Sequence, residues 1–178
     1  GAVTLLTDGK SRNSLGVWSR RGDRMAYTST RRNGRDTYLY VLDPADPKTD
    51  RLLAQLDGGG WAPLDWSPND RKIVLRQYIS INESYLWLVD VLGNEKHLLT
   101  PKIGAELVAH ESAKFSKDGN GLYVITDAKS EFSRLAYLDL GTRRLKPFAS
   151  EVRGDVTDFD LLADGANIAL ITNEEGIS

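Results

Sequence analysis

The chain has 178 residues, with 23 Lys and Arg against 25 Asp and Glu, and its formal net charge is −2. This balance lacks the basic footprint of a nucleic-acid-binding protein. The absence of Cys excludes disulfides, Cys-ligated zinc and a cysteine nucleophile. No apolar run approaches the roughly 20 residues that span a bilayer, and residues 1–6 lack the regions of a signal peptide. We therefore expect neither nucleic acid nor a membrane as a partner, and the compartment stays open.

A tight turn recurs four times along the chain. Its turn position is occupied by Gly22, Asp70, Gly119 and Gly165, at spacings of 48, 49 and 46 residues. An aromatic or apolar residue precedes each turn and an apolar run follows it. Such turns favour a residue that tolerates a positive φ angle. The recurrence predicts one structural unit that repeats about every 48 residues.

A strand that ends in Asp recurs in the same register, at residues 39–43, 86–90 and 135–139. The apolar run after each turn is typical of a strand that is covered on both faces. A polar hairpin tip follows, as at residues 31–35, where Asn-Gly is a strong turn signal. Each unit therefore predicts four short strands, and no segment shows sustained helical periodicity.

Antiparallel four-stranded units at this period are typical of β-propeller blades. We predict an all-β partial β-propeller with three complete blades at residues 11–56, 57–101 and 102–150. We interpret residues 1–8 as the last strand of a preceding blade and residues 151–178 as the first two strands of a further blade. Closure usually takes at least four blades, which indicates part of a longer propeller. The alternative is a β-sandwich, which does not need the same residue types at each step.

The aromatic-Ser-x-x-Gly turn, the apolar strand and the Leu-Tyr/Trp-x-x-Asp strand resemble the WD-like repeats of TolB-type propellers. They also resemble the N-terminal propellers of the prolyl oligopeptidase family of serine peptidases. Within that family, residues 28–36 and 159–176 look most like bacterial dipeptidyl or acylaminoacyl peptidases. The resemblance implies a two-domain enzyme whose propeller covers an α/β-hydrolase domain and filters peptide substrates by size.

The sequence contains no Gly-x-Ser-x-Gly nucleophile elbow, so no catalytic residue is carried over from the family. We expect a non-catalytic segment that gates and positions peptide substrates for a hydrolase domain outside this chain. The alternative is a TolB-like scaffold that binds a protein partner, and the two differ in whether a hydrolase module follows residue 178. Exposed strand edges and apolar blade faces also predict self-association.

Few side chains suggest a ligand site. Seven arginines lie between Arg12 and Arg35 with one acidic residue, Asp23, among them. They could bind an anion, or they could belong to separate turns and hairpin tips. The candidates for ligand contact are Trp61, Arg31, Arg32 and Arg35. No catalytic, cofactor-binding or metal-binding residue is assigned, and no cofactor is expected.

The remaining recurrent residues have structural interpretations. Trp18, Trp66 and Phe115 share one blade position, which predicts packing between blades. The strand-ending aspartates, which are Asp43, Asp90 and Asp139, are predicted to accept hydrogen bonds from nearby backbone N–H groups. A lyase-type propeller would need clustered histidines, whereas the chain has two scattered ones. We therefore expect structural or surface roles for His97 and His110.

Overall fold

The computed structural model describes residues 3–14, 16–102, 104–148, 152–162 and 164–174. Within these ranges the chain is all-β. The strands are β1 (Val17–Trp18), β2 (Met25–Ser29), β3 (Tyr38–Asp43), β4 (Asp46–Ala54), β5 (Trp61–Trp66), β6 (Lys72–Ser80), β7 (Glu83–Asp90), β8 (Lys96–Leu98), β9 (His110–Phe115), β10 (Gly121–Thr126), β11 (Arg134–Asp139), β12 (Leu145–Pro147), β13 (Asp155–Leu161) and β14 (Ile168–Asn173). None of the described segments is a helix long and apolar enough to cross a membrane.

The strands form successive antiparallel sheets in chain order. Strands β1–β4 form the first blade, β5–β8 the second and β9–β12 the third, while β13 and β14 form a two-stranded fourth sheet. Each sheet contacts the next one along the chain: β1 and β2 contact β5, β9 contacts three strands of the second blade, and β13 contacts β10 and β11. This arrangement confirms a partial β-propeller that is not closed, and it is not that of a β-sandwich.

The predicted blade boundaries contain the observed sheets, because each four-stranded sheet lies inside its predicted range. Residues 3–8 form no strand. Instead, Leu6 packs against the buried side chains Tyr27, Tyr38 and Tyr40 of the first blade. A strand needs a partner for its backbone groups, and no described strand pairs with this segment. Its assignment to a preceding blade stays a prediction, and residues 1, 2, 15, 103, 149–151, 163 and 175–178 lie outside the described part of the chain.

The recurrent turn has the predicted geometry in all four repeats. The φ angles are 72° at Gly22, 56° at Asp70, 73° at Gly119 and 71° at Gly165. In each turn the backbone N–H of this residue donates to the carbonyl three residues earlier, at 2.8–2.9 Å. The positive φ explains why Gly occupies three of the four positions. The predicted turn chemistry is therefore confirmed.

Large side chains fill the boundaries between blades. Trp66 is fully buried between the first and second blades, and its indole Nε1 donates to Val17 O at 2.9 Å. Phe115 is buried between the second and third blades. Trp18 differs, because 55% of its surface is exposed. The prediction that Trp18 packs between blades is wrong here, because no described sheet lies in front of the first blade.

Asp65 links three blades through one carboxylate. Its Oδ2 atom lies 2.5 Å from Arg20 Nη2 of the first blade and accepts a hydrogen bond from Phe115 N of the third blade at 2.8 Å. Asp65 itself belongs to β5 of the second blade. Burial raises the pKa of this carboxyl group, and the N–H of Phe115 and the guanidinium of Arg20 oppose that rise.

Candidate functional site

The strand-ending aspartates organise turns, as predicted. Asp43, Asp90 and Asp139 end β3, β7 and β11. Their Oδ1 atoms accept from Ala45 N, Leu92 N and Thr142 N at 2.7–2.8 Å. Backbone N–H groups of the following turn hold the pKa of Asp90 and of Asp139 below its ordinary value. These carboxylates serve the turns of separate blades.

The arginines near the N-terminus occupy two separate places. Arg20 and Arg24 lie at the first recurrent turn and donate to the carbonyls of Trp66 and Asp70 in the second blade. Arg31 instead lies on the other side of the first blade, where its Nη1 atom donates to Asp50 and to the Tyr27 hydroxyl. The cluster is therefore divided between a blade boundary and a hairpin.

The three candidate arginines differ in how far they are engaged. The guanidinium of Arg31 lies 3.7 Å from the centre of the Tyr40 ring, in a cation–π contact. That of Arg32 lies 5.5 Å from the Tyr38 ring. Arg35 is almost fully exposed. Ligand contact by these arginines stays a prediction, and the packing of Arg31 shows a structural role for it.

Trp61 is 5% exposed and belongs to a packed unit within the second blade. Its ring centre lies 5.7 Å from that of Trp87, and Lys96 Nζ lies 5.1 and 4.9 Å from the two rings. The indole N–H groups donate to Asp57 O and to Gln77 Oε1, each at 2.9 Å. Trp61 thus faces the interior in this structure, and ligand contact by it stays a prediction.

A cavity of about 790 Å³ lies between the second and third blades, and we call it the 2–3 cavity. Its apolar lining comes from Leu99, Val108, Ala136, Leu138 and Leu145. Its charged lining consists of Lys102, Lys129, Arg134, Arg143, Arg144 and Lys146, with Glu106 as the acidic residue among the described lining residues. Cavities of this volume are typical of ligand sites.

His110 begins β9 and lines the 2–3 cavity. The residue is 5% exposed, and its Nδ1 atom is buried without a hydrogen-bond partner among the described residues. Burial lowers the pKa of the imidazole to about 4, so the ring is neutral at pH 7. The backbone is held firmly, because Ser84 Oγ accepts from His110 N at 2.6 Å and donates to His110 O at 2.8 Å.

The second histidine and the acidic residues offer no comparable site. His97 lies largely exposed on β8, with its Nε2 atom 3.4 Å from Glu95 Oε2. In the described ranges, no group of three or more His, Asp or Glu side chains is placed to hold a metal ion. The 2–3 cavity is therefore the feature that combines enclosed volume, charge and an unpaired buried nitrogen.

No protein-family model matches the sequence, and the search of curated proteins also found no match. Among solved structures, TolB from Acinetobacter baumannii is 18% identical, with a TM-score of 0.76 over 96% of this chain and 40% of that chain. A puromycin-hydrolyzing peptidase from Mycobacterium tuberculosis is 15% identical, with a TM-score of 0.68 over 90% of this chain and 28% of that one. Prolyl oligopeptidase B from Galerina marginata is 13% identical, with a TM-score of 0.65 over 83% and 22%.

These likenesses show the fold: the chain consists of β-propeller blades of the type found in TolB and in prolyl oligopeptidase-family peptidases. The chain spans two fifths of the TolB chain and about a quarter of the peptidase chains. It therefore corresponds to part of each similar propeller protein.

Proposed function

We propose that the chain is a non-catalytic propeller segment of a prolyl oligopeptidase-type serine peptidase, in which it gates and positions peptide substrates. The observation that carries this proposal is the likeness of most of the chain to the propellers of several such peptidases. The sequence itself has no nucleophile elbow. Catalysis would then belong to an α/β-hydrolase domain outside this chain.

Two further observations support a role with peptides. The prolyl oligopeptidase B structure is bound to a 35mer hydrolysis and macrocyclization substrate. In the present chain, a large cavity lined by apolar and basic residues opens between two blades. Clefts of this kind, with a few polar groups over an apolar lining, are common places for ligands.

A second candidate function is a TolB-like scaffold that binds a protein partner. It is favoured by the TM-score of 0.76 and the 96% coverage against Acinetobacter baumannii TolB. In that case the propeller would act through its surface, and no hydrolase domain would accompany it.

The test compares the segment with the full-length protein that contains it, using aminoacyl and dipeptidyl chromogenic substrates and a series of longer peptides. We expect no turnover by the segment, because nucleophile, base and oxyanion donors are all missing. We expect turnover by the full-length protein that falls as the peptide grows, and that disappears when its nucleophilic serine is replaced by Ala.

The control for contamination is a segment variant that carries both His97→Gln and His110→Gln, repurified in parallel. Turnover that the parent segment keeps through repurification and that this variant loses would contradict a non-catalytic role, whereas turnover that persists equally in both would indicate a contaminant. A full-length protein without hydrolase activity that captures a protein partner would favour the TolB-like alternative.

A further inference from the structure

We propose that the 2–3 cavity binds an extended acidic peptide segment, with one large apolar side chain of that peptide seated on the cavity floor. The proposal goes beyond the proposed function, because it assigns a ligand to the boundary between two blades, and it applies whether the protein is a peptidase or a scaffold.

The repeat register explains why the cavity exists. The second and third blades are related by 49 residues, which places Trp61 in register with His110 and Trp87 with Ala136. The strand pairing agrees, since Trp61 pairs with Gln77 and His110 pairs with Thr126, also 49 residues apart. Positions that hold two packed indoles in the second blade thus hold an imidazole and a methyl group in the third.

The third member of the packed unit, Lys96, also loses its charge in the third blade. Lys96, whose ammonium group contacts both indoles, corresponds to Leu145, and both Leu145 and Ala136 line the 2–3 cavity. At its boundary with the first blade, the second blade therefore fills the space with its own side chains. At its boundary with the second blade, the third blade leaves the equivalent space open. Empty apolar space forfeits contacts for the groups that line it, and a large apolar side chain from another molecule would restore them.

The basic residues that line the 2–3 cavity indicate that its ligand is acidic. Basic residues come from both sides of the 2–3 cavity, with Lys102 after the second blade and Lys129 and Arg144 from the third. Lys102 Nζ lies 3.5 Å from Glu83. No hydrogen bond or ion pair engages the side chains of Lys129 and Arg144 within the described structure. An occupant with several carboxylates would complement this wall.

The buried imidazole favours a peptide over a purely apolar ligand. A buried polar atom without a partner is uncommon in proteins, and His110 Nδ1 is such an atom beside the cavity. Neutral imidazole can accept from a peptide N–H or donate to a peptide carbonyl. The 2–3 cavity follows the alternate residues Arg134, Ala136 and Leu138 of β11. At about 3.3 Å per residue, such a strand has the length of a short extended peptide.

The experiment uses isothermal titration calorimetry with the 178-residue chain and three blocked pentapeptides. The first has the sequence Asp-Glu-Trp-Glu-Asp, the second replaces Trp by Ala, and the third has Lys and Arg in place of the acidic residues. We expect saturable binding of the first peptide, at least about tenfold weaker binding of the second, and no measurable binding of the third. Binding of the first peptide should weaken as salt is added.

The Ala136→Trp variant tests whether the missing indole creates the cavity, because it places in the third blade the residue type that the second blade has at the equivalent position, Trp87. We expect this variant to lose the peptide while its melting temperature stays unchanged or rises. Ala136→Leu fills less of the space, and we expect intermediate binding, which keeps the test decisive if the Trp variant does not fold.

Two further variants separate charge from the buried nitrogen. Lys102→Gln combined with Arg144→Gln should weaken binding about three- to tenfold, and the matched control, Lys10→Gln combined with Lys48→Gln, should leave it unchanged. His110→Phe should weaken binding without lowering the melting temperature, because the imidazole nitrogen has no protein partner to lose.

Equal binding of the acidic and basic peptides, or no saturable binding of the first peptide, would overturn the proposal. So would unchanged affinity in a folded Ala136→Trp variant. These results are independent of peptidase activity in the full-length protein, so failure of this site and failure of the proposed function can be told apart.

Discussion

The carboxylate of Asp70 in the second blade accepts a hydrogen bond from the backbone N–H of Arg20 in the first blade at 2.6 Å. Its other oxygen accepts from Arg21 N at 3.2 Å, and Asp70 is buried. Asp70 has a φ angle of 56°, where the other three repeats have Gly. The residue thus keeps an unfavourable backbone conformation at a position where its side chain joins two blades.

Replacing Asp70 by Gly should destabilise the protein. The variant relieves the positive φ but removes two shielded hydrogen bonds to a charged acceptor, so we expect a net loss of about 1–2 kcal/mol of unfolding free energy. Urea denaturation measures it. The matched control is Asn94→Gly, which relieves a φ of 55° in an exposed turn, and we expect it to be neutral or slightly stabilising. A gain of stability in both variants would show that the hydrogen bonds of Asp70 to the first blade contribute no net stability.

Trp66→Ala and Trp18→Ala form a second matched pair, because the two residues occupy the same repeat position. Trp66 is fully buried and donates to Val17 O, so its truncation should cost about 3–5 kcal/mol. Trp18 is mostly exposed, and its truncation should cost less than about 1 kcal/mol. Denaturant melts measure the unfolding free energy of both variants. Equal losses in the two variants would contradict the packing of Trp66 between the first and second blades.

His110 should make stability depend on pH between about 4 and 6.5. The pKa of its imidazole is lowered from 6.5 to about 4 by burial, so on acidification the unfolded chain takes up this proton before the native chain does. Stability from this group is complete above pH 6.5 and falls by up to about 3 kcal/mol as the pH drops to 4.

The pH effect is measured as the difference between the parent chain and His110→Phe in urea melts across this range. Both chains keep the same carboxylates and the same charged residues around the 2–3 cavity, so their difference isolates the imidazole. His97→Gln is the control, because His97 is largely exposed, and it should follow the parent chain. Parallel curves for the parent and His110→Phe would contradict the prediction.

Self-association through exposed apolar surface remains a proposal. Trp18 on the first blade and Ile171 on β14 are each more than half exposed, and exposed apolar groups near strand edges favour association. Light scattering across a concentration range should show a mass that rises with concentration. Trp18→Ser combined with Ile171→Ser should shift the rise to higher concentration, whereas a monodisperse monomer at high micromolar concentration would refute the proposal.

The parts of the fold that depend on local chemistry could be predicted from the sequence. A turn with a positive φ favours Gly, which occupies positions 22, 119 and 165. A strand end that needs a hydrogen-bond acceptor favours Asp. Both residue types therefore recur in the sequence at the repeat period. Burial could not be predicted in the same way. Trp18 and Trp66 have the same repeat position, but their burial depends on whether another sheet lies in front of the blade.

The 2–3 cavity could not be predicted from the residues that the repeats share. The signal lay in their differences: the Leu-Trp-x-x-Asp strand of the second blade becomes Leu-Ala-x-x-Asp in the third, and Trp61 becomes His110. Either change alone could be absorbed by neighbouring side chains. That both fall at one boundary becomes clear only when the strand register brings them together.

The carboxylate of Asp65 has a consequence for how the protein opens. In a linear array of repeats, each unit is stabilised by its nearest neighbours, and the units at the ends can open independently. Asp65 couples the first and third blades through the second, since Arg20 and Phe115 share one oxygen atom. Loss of either outer blade therefore leaves a buried charge short of a partner. In native-state hydrogen exchange, the three blades should open as one cooperative unit, while the fourth sheet exchanges separately.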